Sequence, residues 1–515
     1  MKKFDAPRRA PDRPALRPLR PLRSLRPFWP LCALCLAGCA VQPPAAPVAV
    51  AIAPQWQAPL PAGSSMAALP HQGSLSQLSL WWQQQNDPLL VELIMAAEAV
   101  SPSIASARSN IEQARASRVA SGAALLPTLD ATASVSRSRL APTNGAAAPI
   151  TTAGQAGLQA SWEIDLFGQY SASRDADQQR LVGSQALWQA ARVSVAAELA
   201  NQYYSLRACE KLLAVARADA ASRAETARLA ELSAQAGFQA PATAALARAS
   251  AAEGNGNAIQ QHALCDLDIK ALVALTGIAE TDLRQKLTQT PADAAPETMT
   301  SVVSVPAEVL AQRPDIFNAA REVDAAHAEV GSARAERYPR LSLSGSIATS
   351  KSIARGVSRR FDTWSVGPLQ LTIPLFDGGA SEANVEAARA RYENAAAQYR
   401  GSVRQAVREV EEALVNLQST AERNQDAVVA AEGYQASFTA TQARYQGGLA
   451  SLVELEDARR TQLAAQSAVV NLQRQRRSAW VALYRALGGG WTTASPAPPP
   501  LATDISSNLS SAATP

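Results

Sequence analysis

The sequence predicts a mainly α-helical, internally duplicated protein in which long coiled-coil helical hairpins are joined to strands suited to a membrane β-barrel. Three observations carry that expectation. Landmarks recur at a nearly constant offset, two long segments keep an apolar period of about 3.5, and four short segments alternate apolar with polar residues.

The repeat comes first because it sets the architecture. Leu125-Leu126-Pro127-Thr128-Leu129 returns as Arg337-Tyr338-Pro339-Arg340-Leu341, 212 residues later. Asp165-Leu166-Phe167-Gly168 returns as Pro374-Leu375-Phe376-Asp377, at an offset of 209. Ala236-Gly237-Phe238 matches Gly447-Gly448-Leu449, and Ala274-Leu275-Thr276-Gly277 matches Arg485-Ala486-Leu487-Gly488, both at 211. Each copy reads as a helix (about 88–122 and 314–336), two strands (127–137 and 156–166; 339–349 and 364–375) and a very long helix (169–235 and 379–445). A glycine turn and a returning helix (241–276 and 451–487) complete it.

In the strands, Leu341, Leu343, Gly345 and Ile347 share one face and Ser342, Ser344 and Ser346 the other. Leu158, Ala160, Trp162, Ile164 and Leu166 likewise oppose Gln159, Ser161, Glu163 and Asp165. This suits a barrel with a wet lumen, and equally an ordinary half-buried sheet. In the long helices, Val403, Val407, Val410, Leu414 and Leu417 step by 4, 3, 4 and 3; Leu199, Tyr203, Leu206, Leu213 and Ala216 follow the same seam. That period packs helices as coiled coils. A helix of roughly 65 residues is about 100 Å long. Four strands cannot close a barrel, which needs at least about eight, so the strand count requires oligomerisation.

Composition removes other classes. Aromatics make up 5% of the chain, with 3 His and 4 Met, and alanine fills every long segment, favouring long helices. After the N-terminus no run of about 20 apolar residues exists, so any membrane span is made of strands. The formal charge of +4 is an N-terminal effect: residues 1–38 hold nine Lys/Arg against Asp5 and Asp12, and the remainder has 39 basic and 42 acidic residues. A nucleic-acid partner has no support. His71, His262 and His327 are scattered, with no phosphate loop or zinc cluster, so neither an enzyme, a cofactor nor a metal is expected.

The basic stretch up to Arg26 and the apolar run from Phe28 to Gly38 form a secretory signal. Leu36-Ala37-Gly38-Cys39 makes it resemble a bacterial lipoprotein signal. That resemblance implies cleavage before Cys39, a diacylglycerol on its thiol and an acyl chain such as palmitate on its amine. An ordinary signal with an incidental cysteine is the alternative. The expected organisation is a signal peptide (1–38), a lipid-anchored tether (39–75), repeat 1 (76–288), a linker (289–305), repeat 2 (306–491) and a Ser/Pro/Ala-rich tail (492–515).

A family resemblance rests on Trp81-Trp82 with Asp87-Pro88, Arg313-Pro314-Asp315-Ile316 and Tyr338-Pro339. It continues through Pro374-Leu375-Phe376-Asp377-Gly378-Gly379, Gly448-Leu449-Ala450-Ser451 with Asp457-Ala458-Arg459, and Leu487-Gly488-Gly489-Gly490-Trp491. In order and spacing these resemble the TolC-like outer-membrane efflux family, in its lipoprotein branch, over about residues 75–491. The resemblance implies a homotrimer with a twelve-stranded outer-membrane barrel, four strands per chain, continued by an α-helical barrel through the periplasm. It further implies a passive exit duct for drugs and small toxic solutes, working with a periplasmic adaptor and an inner-membrane pump. A type I protein-secretion duct and a structural periplasmic coiled-coil lipoprotein are the rival readings.

The same resemblance places the periplasmic tips at Ala236–Thr243 and Gln446–Ser451. Adaptor docking is expected at Gly237, Phe238, Gly447, Gly448, Leu449, Ala450 and Ser451. Glu454 and Asp457, one helical turn apart, match acids that line the narrowest point of the family's lumen, with Tyr445 in the closing network. Merely exposed acids are the alternative. The chain departs from the family at Ala450, where the family carries a basic residue. From spacing alone, Cys209 lies 29 residues before Phe238 and Cys265 lies 27 after it, at nearly equal height on antiparallel helices. They are expected to form a disulfide or to remain free buried thiols. Lys351, Arg355, Arg359 and Arg360 are expected on a loop between two strands, facing anionic lipopolysaccharide or simply solvent.

Overall fold

The computed structural model describes residues 87–139, 150–290, 313–354 and 356–491, with the single positions Val48, Ala58, Trp82 and Leu310. Cys39, the signal, the linker from 291 to 305, the tail, His71 and Arg355 lie outside the described residues. In chain order the elements of repeat 1 are α1 (Pro88–Val100), α2 (Pro102–Ala123), β1 (Thr128–Arg139), β2 (Ile150–Ile164), α3 (Gln169–Gln235), α4 (Pro241–Thr276) and α5 (Glu280–Gln289). Repeat 2 follows with α6 (Pro314–Ala335), β3 (Arg340–Ala354), β4 (Val357–Thr372), α7 (Ala380–Gln446) and α8 (Leu452–Ala486).

Three expectations change. The single helix read over 88–122 is two, because Ser101 precedes Pro102 and is held extended (φ −64°, ψ 123°). Ser101 closes α1 and caps α2, and the pair bends by 48°. The strands run longer than expected, so Lys351 lies in β3, and Arg359 and Arg360 in β4, rather than on a loop. A tight turn at Gly356 (φ +80°) replaces that loop. The third change is the addition of α5, which returns after Gly277 to bury Leu283 and Leu287.

The four strands form one antiparallel sheet in the order β1-β2-β3-β4, so the two repeats meet at the β2–β3 pairing. β1 and β4 each keep one unpaired edge. One irregularity interrupts β4. Leu343 pairs with Leu369 and Gly345 with Val366, so Gly367 and Pro368 together oppose Ser344 in a bulge. The extra residue keeps Leu369 and Val366 on the same face, which regular alternation would separate. At Gly157 the sheet is closely approached: a Cβ there would sit 2.6 Å from the Ile347 carbonyl oxygen.

α3 and α7, each 67 residues and about 100 Å long, run antiparallel to α4 and α8 in two hairpins. Their 3.5-period seams are buried: Leu199, Tyr203 and Leu206 on α3, and Val403, Val410, Leu414 and Leu417 on α7. These join Leu90, Leu93, Leu272, Leu283, Leu310 and Leu483 in the principal core, midway along the hairpins. Each fully buried Leu contributes roughly 2 kcal/mol of transfer free energy.

Cys209 and Cys265 are joined by a disulfide between α3 and α4, with Cα atoms 5.5 Å apart. At the 211-residue offset, Thr420 stands where Cys209 does, and its hydroxyl bonds back to the Asn416 carbonyl. Hairpin 1 is therefore cross-linked where hairpin 2 is not. Cys209→Ser/Cys265→Ser should cost hairpin 1 about 2–4 kcal/mol. Hydrogen exchange along α3 and α4 should rise correspondingly, with little change in α7 and α8.

Candidate constriction at the hairpin tips

Both long helices stop by the same device. Gly237 takes φ +80°, and the Phe238 amide donates back to the Ser233 carbonyl at 2.9 Å. Gly448 takes φ +75°, and the Leu449 amide donates to the Arg444 carbonyl at 2.8 Å. A left-handed residue here satisfies the last helical carbonyls, which is why glycine stands at both places. Arg444 also donates from Nη2 to the Leu449 carbonyl (3.0 Å), putting a cation at the tip although position 450 is alanine. Gly447 is the helix-terminal residue beside it. Phe238 is 85% exposed and Leu449 74%, so each apex presents a large apolar side chain.

The returning helices start differently. Pro241 opens α4 with no side-chain cap, whereas Ser451 and Glu454 form a reciprocal capping box on α8. The Ser451 amide donates to Glu454 at 2.7 Å and holds its carboxyl below the usual carboxylate range. Asp457, on the same face one turn later, is exposed and paired with Arg460. Glu454 and Asp457 line an open groove of about 800 Å³ between α4 and α8. Tyr445 sits elsewhere, against an apolar cluster that includes Ala230, Ala247, Phe438, Leu452 and Leu455. The structure thus brings the two acids together but turns Tyr445 toward the packing between hairpins.

Behind the acids lies a network that sequence reasoning did not single out. Arg459, on α8, is 1% exposed. Its Nη2 donates to Ser222 Oγ and Thr226 Oγ1 of α3, both at 3.1 Å, and its Nη1 donates to Glu456. Its Nε lies 3.7 Å from Asp219 Oδ1, and the guanidinium stacks over Phe438 at 5.5 Å. Arg223 of α3 donates to Asp219 (2.8 Å) and to Ser250 Oγ of α4 (2.8 Å), and lies 3.2 Å from Glu456. Gly254 leaves the room: a Cβ there would come within 2.7 Å of Arg223 Cδ. Burial raises the Asp219 carboxyl above its usual range despite Arg223 and Arg459, and lowers the Arg459 guanidinium. Two arginines and two carboxylates therefore tie hairpin 2 to both helices of hairpin 1, close to the tip.

This is an arrangement that holds helices together. Among the described residues no cluster of His, Cys, Asp or Glu could hold a metal. His262 pairs with Asp266 on the surface of α4, and His327 packs against Tyr392. The only sequence signal for Arg459 was its place in Asp457-Ala458-Arg459; burial cannot be read from a single charged residue.

The family model for outer membrane efflux proteins matches the chain twice, over residues 93–277 and 305–489. The chain belongs to the outer membrane efflux protein family. The two matches begin 212 residues apart, the spacing of the internal landmarks. The chain is 32% identical over 475 residues to the outer membrane protein OprJ of Pseudomonas aeruginosa, covering 88% of this chain and 94% of OprJ. It is 29% identical to the solvent efflux pump outer membrane protein SrpC of Pseudomonas putida, covering 89% and 96%. Among solved structures, VceC of Vibrio cholerae superposes with a TM-score of 0.68 at 27% identity, covering 80% of this chain and 99% of VceC. The Campylobacter jejuni outer membrane channel CmeC gives 0.76 at 24% identity, over 88% and 96%, and speaks for the fold alone. The function that follows is that of the outer-membrane channel of a tripartite efflux pump, with the strands in the outer membrane and the helices in the periplasm.

Removing Arg459 leaves Asp219 and Glu456 facing a buried void. Arg459→Ala should cost about 3 kcal/mol, roughly a hundredfold faster amide exchange around Ser222 and Thr226. Arg459→Lys should recover only part of this, since a lysine cannot reproduce the forked donation.

Proposed function

We propose that three copies of this chain close a twelve-stranded barrel, continue as a helical tunnel, and pass drugs and other small toxic solutes outward from an adaptor and an inner-membrane pump. The observation that carries this is the open four-stranded sheet, unpaired at both edges and joined directly to helices about 100 Å long. Relatives named for solvent and toluene efflux favour small solutes over secreted proteins as cargo. The tip residues Gly237, Phe238, Gly447, Gly448, Leu449, Ala450 and Ser451 are the adaptor-docking surface, and the exposed Phe238 and Leu449 suit an apolar contact. Glu454 and Asp457, repeated around the axis, form a cation-attracting constriction, with Tyr445 packed behind it.

The chain is anchored through Cys39. Val48 packs beside Val323, Ala326 and Ala395, and the Ala58 amide donates to Glu411 at 2.7 Å, so the tether touches α6 and α7. Ala395 lies 15 residues into α7, about 23 Å from its membrane end. The nine residues from Cys39 to Val48 reach about 30 Å, enough to return the lipid to the membrane.

Single-channel recording in planar bilayers tests the constriction. Wild-type protein should give discrete, cation-selective openings. Glu454→Gln/Asp457→Asn should lose that selectivity, while the amide that replaces the Glu454 carboxylate still accepts the capping bond from Ser451. Unchanged selectivity would move the constriction elsewhere; absence of both trimer and current would end the channel reading. Cys39→Ser should abolish incorporation of labelled palmitate, and persistent labelling would refute the anchor.

A further inference from the structure

The sheet carries a cluster of cations that neither transport nor the barrel requires. Cross-strand partners share a face, so the register puts Leu129, Leu158, Ile347, Trp364 and Val366 together, with Ser, Thr and Gln on the opposite face. Farther from the helices cations enter this face between Val135, Ile353 and Ile150. Lys351 stands directly opposite Arg360, and Arg137 and Arg139 follow on β1. Asp362 is the one acid on this face among the described strand residues.

Two features distinguish this cluster from a solvated fringe. Like charges directly opposed across strands are destabilising, so the Lys351–Arg360 pairing asks for a counterion. Asp362 supplies little: its Oδ1 is 3.9 Å from Arg360 Nε, which instead donates to Thr349 Oγ1 at 3.3 Å. Beside the pair, β1 and β2 offer only Ala133, Gly154 and Ala156, with Val135 at the far side. These floor a depression of about 540 Å³ with Lys351 and Arg360 at its rim. The height also fits. Lys351 and Arg360 lie four residues beyond Ile347 and Trp364, which at ~3.3 Å per residue and a tilt of about 40° is roughly 10 Å above that row, among the scattered apolar residues Val135, Ile353 and Ile150 of the same face. With Trp364 at the membrane boundary, that is the level of lipid headgroups.

We infer that this depression binds the phosphorylated headgroup of an outer-leaflet lipid. Lys351 and Arg360 hold the phosphate, Arg137 flanks it, and the acyl chains descend over Trp364. A phosphate neutralises the opposed cations and accepts a forked bond from Arg360. The inference rests on this face of the sheet meeting lipid, as the proposed barrel requires.

The test uses the full-length protein reconstituted in brominated phosphatidylcholine, with the quenching lost in Trp364→Phe taken as the Trp364 signal. Added diphosphoryl lipid A should displace the brominated lipid and relieve that quenching. Lys351→Gln/Arg360→Gln should need roughly tenfold more lipid A, the loss expected for a charged hydrogen-bonded contact, while still conducting in planar bilayers. Excess inorganic phosphate should not compete. Equal titration by the double variant would overturn the inference, and so would relief blocked by inorganic phosphate, which would make the site one for a free anion. If no quenching is attributable to Trp364, the lipid-facing reading itself falls, and the inference with it.

Discussion

The two unpaired edges of the sheet, on β1 and β4, are the constraint to which the rest of the molecule answers. In hydrocarbon each unsatisfied backbone group costs several kcal/mol, so an open sheet with an apolar face is not a stable membrane structure. Closure with further copies, as in the proposed trimer, would satisfy both edges at once. The sheet also determines where the helices stand, because the second strand of each repeat joins its long helix through a short, rigid link. After β2, Asp165 accepts from the Tyr170 and Ser171 amides at 3.2 and 2.8 Å; after β4, Asp377 accepts from Gly379 and Ser381, both at 2.9 Å. Gly168 and Gly379, with φ +81° and +91°, turn the chain at the same point in both repeats. The spacing of strands is thereby transmitted to the spacing of helices.

Below that joint the two repeats cease to be equivalent. Hairpin 1 is cross-linked through Cys209 and Cys265, while Thr420 in hairpin 2 satisfies only its own helix. At the same offset, Arg248 is an exposed residue of α4 whose side chain lies 3.6 Å from Glu231, whereas Arg459 is buried between hairpins. A duplicated fold thus carries one covalently closed hairpin and one held by a desolvated ionic network. Such a network specifies one geometry strongly, because every alternative leaves a charge without a partner in a dry site.

The bulge at Gly367-Pro368 shows how a local irregularity can preserve a global pattern. It shifts β4 by one residue, so its apolar residues remain on the face shared by Leu343 and Ile347. Simple alternation along β4 breaks between Val366 and Leu369, inside the segment that the sequence marks as a strand from about 364. The basic residues before Trp364 have no apolar alternation to mark them, and so read as a loop.

The sequence by itself determined the duplication, the long helices, the strand pairs and the glycine tips. All of these depend on periodicity or on residues with restricted or permissive backbones, which act over a few neighbours. It also put Cys209 and Cys265 at matching heights, though not in contact. Only the tertiary structure decided that these cysteines are bonded, that Tyr445 packs between hairpins, that Arg459 is buried and that Lys351 faces Arg360. Burial and pairing depend on which distant segments meet, and a charged residue carries no mark of whether water or another helix will cover it.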